Sequence, residues 1–237
     1  MLASLLVAVL LSPAAHADPP SLVVGTYADV GFAASTVPPE SLALVGQAAG
    51  DPNTLEAALA LPGVQLVTNA GMYHAALPWS RQPVGLHVQD GQTVRPLETR
   101  ALDGNFGLRP NGVFWVDSRG AHVTATEDWA APDDVRLATQ SGPMLVRAGA
   151  VHPVFDPAST SRKLRSGVGV RADGQVVFAI STEPVRFYDF AVLFRDHLGC
   201  PDALFLDGTI SGLHTPSRQV GATRRAYGGV LVVRSTD

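Results

Sequence analysis

Only one cysteine, Cys200, occurs in the 237 residues. That excludes an intrachain disulfide and a cysteine-rich metal site, so the fold must rest on its apolar core. Positive charge is sparse as well: 17 lysines and arginines against 21 acidic residues give a formal net charge of −4. No basic tract interleaved with aromatics is present, which argues against a nucleic-acid partner. The seven histidines show no His-Glu-x-x-His spacing, and no metal site is expected. Also absent are a Gly-x-Ser-x-Gly elbow, a Walker loop and a dinucleotide fingerprint, so no cofactor is expected. No apolar run reaches the roughly 20 residues of a membrane span, and the mature chain is expected to have no stable one.

Residues 1–17, MLASLLVAVLLSPAAHA, have the form of a secretory signal. Leu5 to Leu11 make the apolar segment and Ala15-His16-Ala17 the cleavage site, although no lysine or arginine precedes them. Residues 18–237 are expected to be exported, to the periplasm or beyond, as one domain. The 23 glycines and 18 prolines suit strands and loops better than helices. Hairpin signals recur: Pro83 to Leu97 around Asp90-Gly91, Asn105 to Val116 around Pro110-Asn111-Gly112, and Ser166 to Ser181 around Asp173-Gly174. Gly31 to Glu40 reads as a loop. Helices are expected over Asn53–Leu61, capped by Asn53, and over Asp189–Leu198, capped by Asp189 and closed by Gly199. The pattern predicts a strand-rich α+β domain with a mixed sheet, antiparallel hairpins and about two helices.

The stretch DALFLDGTIS, Asp202 to Ser211, organises the rest. Ala203 to Leu206 form a short apolar run bounded by turn formers, the pattern of a buried strand. It ends at Asp207-Gly208, which puts a carboxylate at the rim of a sheet, where loops can build a site on rigid support. A second strand, Val64 to Thr68, empties in the same way into Asn69-Ala70-Gly71. Cys200, before a proline at a helix-to-strand junction, reads as a buried, inert thiol.

Four stretches in order, LVTNAGMY (Leu66–Tyr73), GNFGLRPNGVF with QSGPMLV (Gly104–Phe114, Gln140–Val146), RKLRSGVGV (Arg162–Val170) and FRDHLGCPDALFLDGTIS (Phe194–Ser211), resemble the phosphodiester glycosidase domain. This is the domain of the animal uncovering enzyme, which removes N-acetylglucosamine from a phosphodiester to expose mannose 6-phosphate. The chain differs where a second glycine often follows the Asp-Gly, having Thr209-Ile210-Ser211. The resemblance implies an exported hydrolase that cleaves a sugar-1-phosphodiester at the glycosidic C–O bond, releasing sugar and a phosphomonoester. Its partner is then a sugar phosphodiester or phosphorylated glycan.

Such a reaction needs cationic clamping of the phosphate, for which the planar arginine fork is suited. Arg162, Lys163 and Arg165 are the densest basic cluster in the chain. Arg165 is the first candidate to bind phosphate and Arg162 the second. Asp207 is the leading catalytic carboxylate, as nucleophile, as activator of water or as stabiliser of an oxocarbenium-like transition state. Glu183, at the end of a strand and before Pro184, is the expected second carboxylate. Asn69 is expected to bind sugar hydroxyls or orient a carboxylate. Gly71 and Gly208 would admit the ligand close to backbone, and Ser141 and Ser211 would hydrogen-bond it. Two alternatives stay open: a non-catalytic glycan-binding module on the same fold, and a metal-dependent phosphodiesterase cutting P–O.

Overall fold

A computed structural model of the chain describes residues 19–74, 81–208, 210–222 and 225–235. The expected secretory signal and Thr209 lie outside the described residues. The fold is strand-rich α+β, built from three sheets. A seven-stranded sheet runs in the order Val23–Tyr27, Val30–Val37, Val176–Ser181, Ser166–Val170, Asp202–Phe205, Met144–Arg147 and Ala150–Val151. A second sheet of five strands centres on Val64–Asn69, flanked by Gly212–Thr215 and Val230–Arg234. The third, also of five, contains Leu137–Ser141 between His87–Gln89 and Gly112–Asp117.

Every ladder among the described residues is antiparallel, in place of the mixed sheet expected. Parallel neighbours need long crossovers covered by helices, and the helices here are short: Leu55–Leu59, Gly104–Gly107 and Phe187–Val192, the last continued by a π-helical turn over Leu193–His197. Thr54, not Asn53, caps the first, its hydroxyl accepting the Ala57 amide at 3.1 Å. Asp189 lies within the first turn of the last helix and pairs with Arg186 at 2.6 Å instead of capping. The expected loop at Gly31 to Glu40 is the strand Val30–Val37, sandwiched between two others and buried along most of its length. Its run of small residues, Gly31, Ala33, Ala34 and Ser35, has weak strand propensity, so burial and pairing decide its state.

Strand alternation distributes the core. Val176, Phe178 and Ile180 face a central cluster with Phe114, Leu66 and Leu231. Val177 and Ala179 face a second cluster beneath the helix, with Phe190 and Phe194. The strand Asp202–Phe205 divides likewise: Leu204 enters the central cluster, and Ala203 and Phe205 the helix side. A sheet buried on both faces needs such period-two occupancy, and truncating a residue such as Phe178 to alanine should cost about 3–5 kcal/mol. Cys200 is fully buried, and burial pushes its thiol up to about 12, leaving it inert.

Candidate active site

The site grows from the ends of two neighbouring strands. In Ser166–Val170, Val168 faces the central core, so Gly167 and Gly169 face the helix. A side chain at Gly169 would meet Cys200 at 2.7 Å and Phe194 at 2.9 Å. Glycine therefore lets the helical segment lie directly on the strand. Arg165 is the next residue on that face and comes under the start of the helix. Its guanidinium carbon sits 3.4 Å from the centroid of the Phe187 ring and 5.9 Å from that of Phe205. The backbone of Arg165 is pinned at both groups: its amide donates to Ser181 Oγ at 3.0 Å, and its carbonyl accepts the Ser181 amide at 2.8 Å.

Arg165 is only 2% exposed. Its Nε donates to the Val185 carbonyl at 3.0 Å. Its two Nη groups have no hydrogen-bond partner, and no carboxylate pairs with it, among the described residues. Desolvation pushes the guanidinium down to about 10, so it stays charged at neutral pH. A buried cation without a counter-charge is costly, and here it opens on a cavity of about 310 Å³.

Asp207 lines the same cavity, together with Gly208, Lys163, Met72 and Asn105. It follows the strand Asp202–Phe205, and its main chain is tied to Ser166: the Ser166 amide and hydroxyl both donate to the Asp207 carbonyl, at 2.7 and 2.8 Å. Burial raises the Asp207 carboxyl above its usual range, against hydrogen bonds from the Gly208 and Ile210 backbone that lower it. The Gly208 amide donates to Asp207 Oδ1 at 2.5 Å. Asp207 is the only carboxylate lining this cavity among the described residues.

The remaining expected residues divide. Gly208 lines the cavity, and a side chain there would meet the Leu164 carbonyl at 2.5 Å, so the close approach seen here is to the chain's own backbone. Asn69, Ser141 and Ser211 are buried and act on the framework instead of lining the cavity. Asn69 Nδ2 donates to Ser166 Oγ at 3.0 Å, and its Oδ1 accepts the Gly212 amide at 3.2 Å. This joins the second sheet to the residue that holds Asp207. Ser141 Oγ donates to the Leu206 carbonyl at 2.9 Å. Ser211 Oγ donates to the Asp207 and Gly208 carbonyls at 3.2 and 2.5 Å, closing the turn after the carboxylate. Gly71 donates its amide to Thr139 Oγ1 at 3.0 Å and leaves no room for a side chain against the Gln140 carbonyl. Its close approach is to a neighbouring strand.

Arg162 is exposed and does not line the cavity, whereas Lys163 does. Glu183 is not brought to Asp207. It is exposed, absent from the cavity lining, and its Oε1 accepts the Gly31 amide at 3.2 Å. A loop position after a strand end does not specify which way the side chain turns, and here it turns to the neighbouring strand.

Sequence reasoning missed Ser166, Phe187 and Tyr227. Ser166 sits inside the quoted RKLRSGVGV stretch, and its polar side chain at the start of a buried strand was the available signal. Tyr227, 1% exposed, donates its phenol to the Ile210 carbonyl at 2.6 Å and supports the turn beyond Asp207. Phe187 carries no local signal of its partnership with Arg165. Among the described residues no three His, Cys, Asp or Glu side chains cluster as metal ligands.

The sequence model of one family, described as phosphodiester glycosidase, matches residues 62–232. An Escherichia coli (strain K12) protein described as "Uncharacterized protein YigE" is 36% identical over 151 residues, which is 64% of this chain and 58% of that protein's length. Among solved structures, the catalytic domain of zebrafish N-acetylglucosamine-1-phosphodiester alpha-N-acetylglucosaminidase, auto-inhibited by its pro-peptide, superposes with a TM-score of 0.67 at 15% identity, covering 92% of this chain and 82% of that one. A hypothetical protein from Synechocystis gives 0.55 at 14% identity, covering 92% and 62%. At these identities the structural likeness is one of fold.

Proposed function

The chain belongs to the phosphodiester glycosidase family, and from that premise we propose that it hydrolyses a sugar-1-phosphodiester at the glycosidic C–O bond. The observation that carries the reading is Arg165: a buried guanidinium, without a carboxylate partner among the described residues, facing the cavity that Asp207 also lines. A phosphodiester supplies the missing negative charge and accepts from the two Nη groups. Lys163 adds a second cation beside it. At about 310 Å³ the cavity is at the small end of the ~300–1,000 Å³ range of ligand pockets, suited to one sugar ring with its phosphate. The zebrafish protein of the same fold is named for action on an N-acetylglucosamine-1-phosphodiester, and that sugar is the first substrate proposed here.

Asp207 acts as the general base. It takes a proton from water as the water oxygen bonds to the anomeric carbon. The bond from that carbon to the phosphate oxygen breaks, and its electron pair leaves on the phosphate. Phosphate leaves without protonation because Arg165 holds the growing charge, which supports a mechanism with one carboxylate and inversion at the anomeric carbon. The residues 1–17 extend the proposal to an exported enzyme acting on glycans of the envelope or the surroundings.

The test is product analysis on a panel of sugar-1-phosphodiesters in oxygen-18 water. The label is expected on the sugar, with an unlabelled phosphomonoester. Label on phosphate means P–O cleavage and overturns the reading, and binding without turnover on every substrate makes the protein a glycan-binding module.

A further inference from the structure

A second cavity, of about 220 Å³, adjoins the first and shares Ser161, Arg165 and Phe187 with it. Arg165 therefore stands at the junction of two spaces. A phosphodiester also has two substituents on one phosphate. If the phosphate sits on the Arg165 fork with its sugar toward Asp207, the other ester group is directed into the second cavity.

The chemistry of that cavity is apolar. Leu108, Val154, Phe155, Phe187 and Tyr188 line it. Phe155 and Phe187 stack with ring centroids 4.8 Å apart and 7° between planes. Two of its polar side chains bond within their own loop: Asp156 Oδ1 accepts the Ala158 amide at 2.7 Å, and Ser159 Oγ accepts the Ser161 amide at 3.2 Å. Six large hydrophobic residues are exposed among the described ones, and three of them, Leu108, Val154 and Leu164, rim these two cavities. Exposed apolar surface concentrated at a charged site marks a binding surface for an apolar group. A sugar in this place would need convergent donors and acceptors, and five of the nine lining residues are instead aliphatic or aromatic.

We propose that the second cavity is a leaving-group subsite that selects phosphodiesters of an apolar alcohol, alkyl or aryl, over those of a sugar. The proposal rests on the phosphodiester reading of the Arg165 site. It adds the identity of the second ester group.

The experiment measures binding of n-hexyl phosphate, methyl phosphate and mannose 6-phosphate to the full chain by calorimetry, beside turnover of the matching N-acetylglucosamine-1-phosphodiesters. n-Hexyl phosphate is expected to bind at least about tenfold more tightly than methyl phosphate, from burial of its methylenes. Val154→Asp is expected to abolish that difference. Val154 is 59% exposed, so the change leaves the core intact. Val94→Asp, at an exposed valine that lines neither cavity, should leave the difference in place. Equal binding of hexyl and methyl phosphate, tighter binding of mannose 6-phosphate, or an unchanged preference in Val154→Asp overturns the subsite. Selective hexyl phosphate binding with no ester hydrolysed overturns the catalytic reading and leaves the subsite standing. Hydrolysis without selectivity does the reverse.

Discussion

The guanidinium of Arg165 lies flat enough on the Phe187 ring for its central carbon to stand 3.4 Å from the ring centroid. One face of the cation is thereby covered by an aromatic ring, its Nε is spent on the Val185 carbonyl, and the residue lines the cavity that Asp207 also lines. Arg165→Lys keeps the charge and loses both the fork and the stacking plane. Steady-state kinetics should show kcat/KM down by about 10²–10³-fold. Activity within a factor of two would separate Arg165 from the chemistry.

Asp207→Asn removes the base while its amide oxygen still accepts from Gly208. Turnover is expected to fall by about 10²–10⁴-fold. Circular dichroism should show an unchanged fold. Wild-type activity in this variant overturns the mechanism.

The pH dependence follows from the same carboxyl. Its folded-state pKa is raised above 3.8 by burial, and a base works only when ionised. The acid limb of kcat/KM should therefore turn at a pH above the ordinary carboxylate value, with activity lost as pH falls through it. Stability runs the other way: the contribution of Asp207 is complete below about pH 4 and is lost as pH rises through the raised pKa. The Tm of Asp207→Asn relative to wild type should accordingly increase between about pH 4 and pH 7. A constant difference would show that the carboxyl is not perturbed.

Glu183→Gln retains the acceptor for the Gly31 amide. Its kcat/KM should stay within about twofold of wild type, since exposed substitutions away from a site are near neutral. A large loss of kcat would restore Glu183 as a second catalytic carboxylate.

Asn69→Ala leaves the Gly212 amide and the Ser166 hydroxyl short of a buried partner. Urea unfolding should show a loss of about 1–3 kcal/mol. Because Ser166 holds the Asp207 main chain, kcat should fall as well, with KM changed less. Unaltered stability would mean that the strand ends are held by other contacts.

Much of this was legible in local pattern. The short apolar run ending at Asp207-Gly208 did become a buried strand with a carboxylate at its end, because alternation of Ala203, Leu204 and Phe205 suits a sheet covered on both faces. The hairpin from Ser166 to Ser181 was visible in its turn residues. The strand Val30–Val37 was not, since its small residues resemble a loop until two neighbours pair with it. Asn69, Ser141 and Gly71 were recognisable as strand-end residues near the site. Their roles were not, because a side chain at a convergence of sheets takes whichever partner the neighbouring strand presents.

By itself, the sequence determined the strand-rich content, the place where a buried strand stops at a carboxylate, and the family to which those motifs belong. Periodicity and turn chemistry act over a few residues and are written locally. The tertiary structure alone decided that Arg165, Phe187 and Asp207 meet around one cavity and that Glu183 does not join them. That meeting depends on antiparallel register and on a helical segment lying close over Gly167 and Gly169, which are relations between distant parts of the chain that no local pattern encodes.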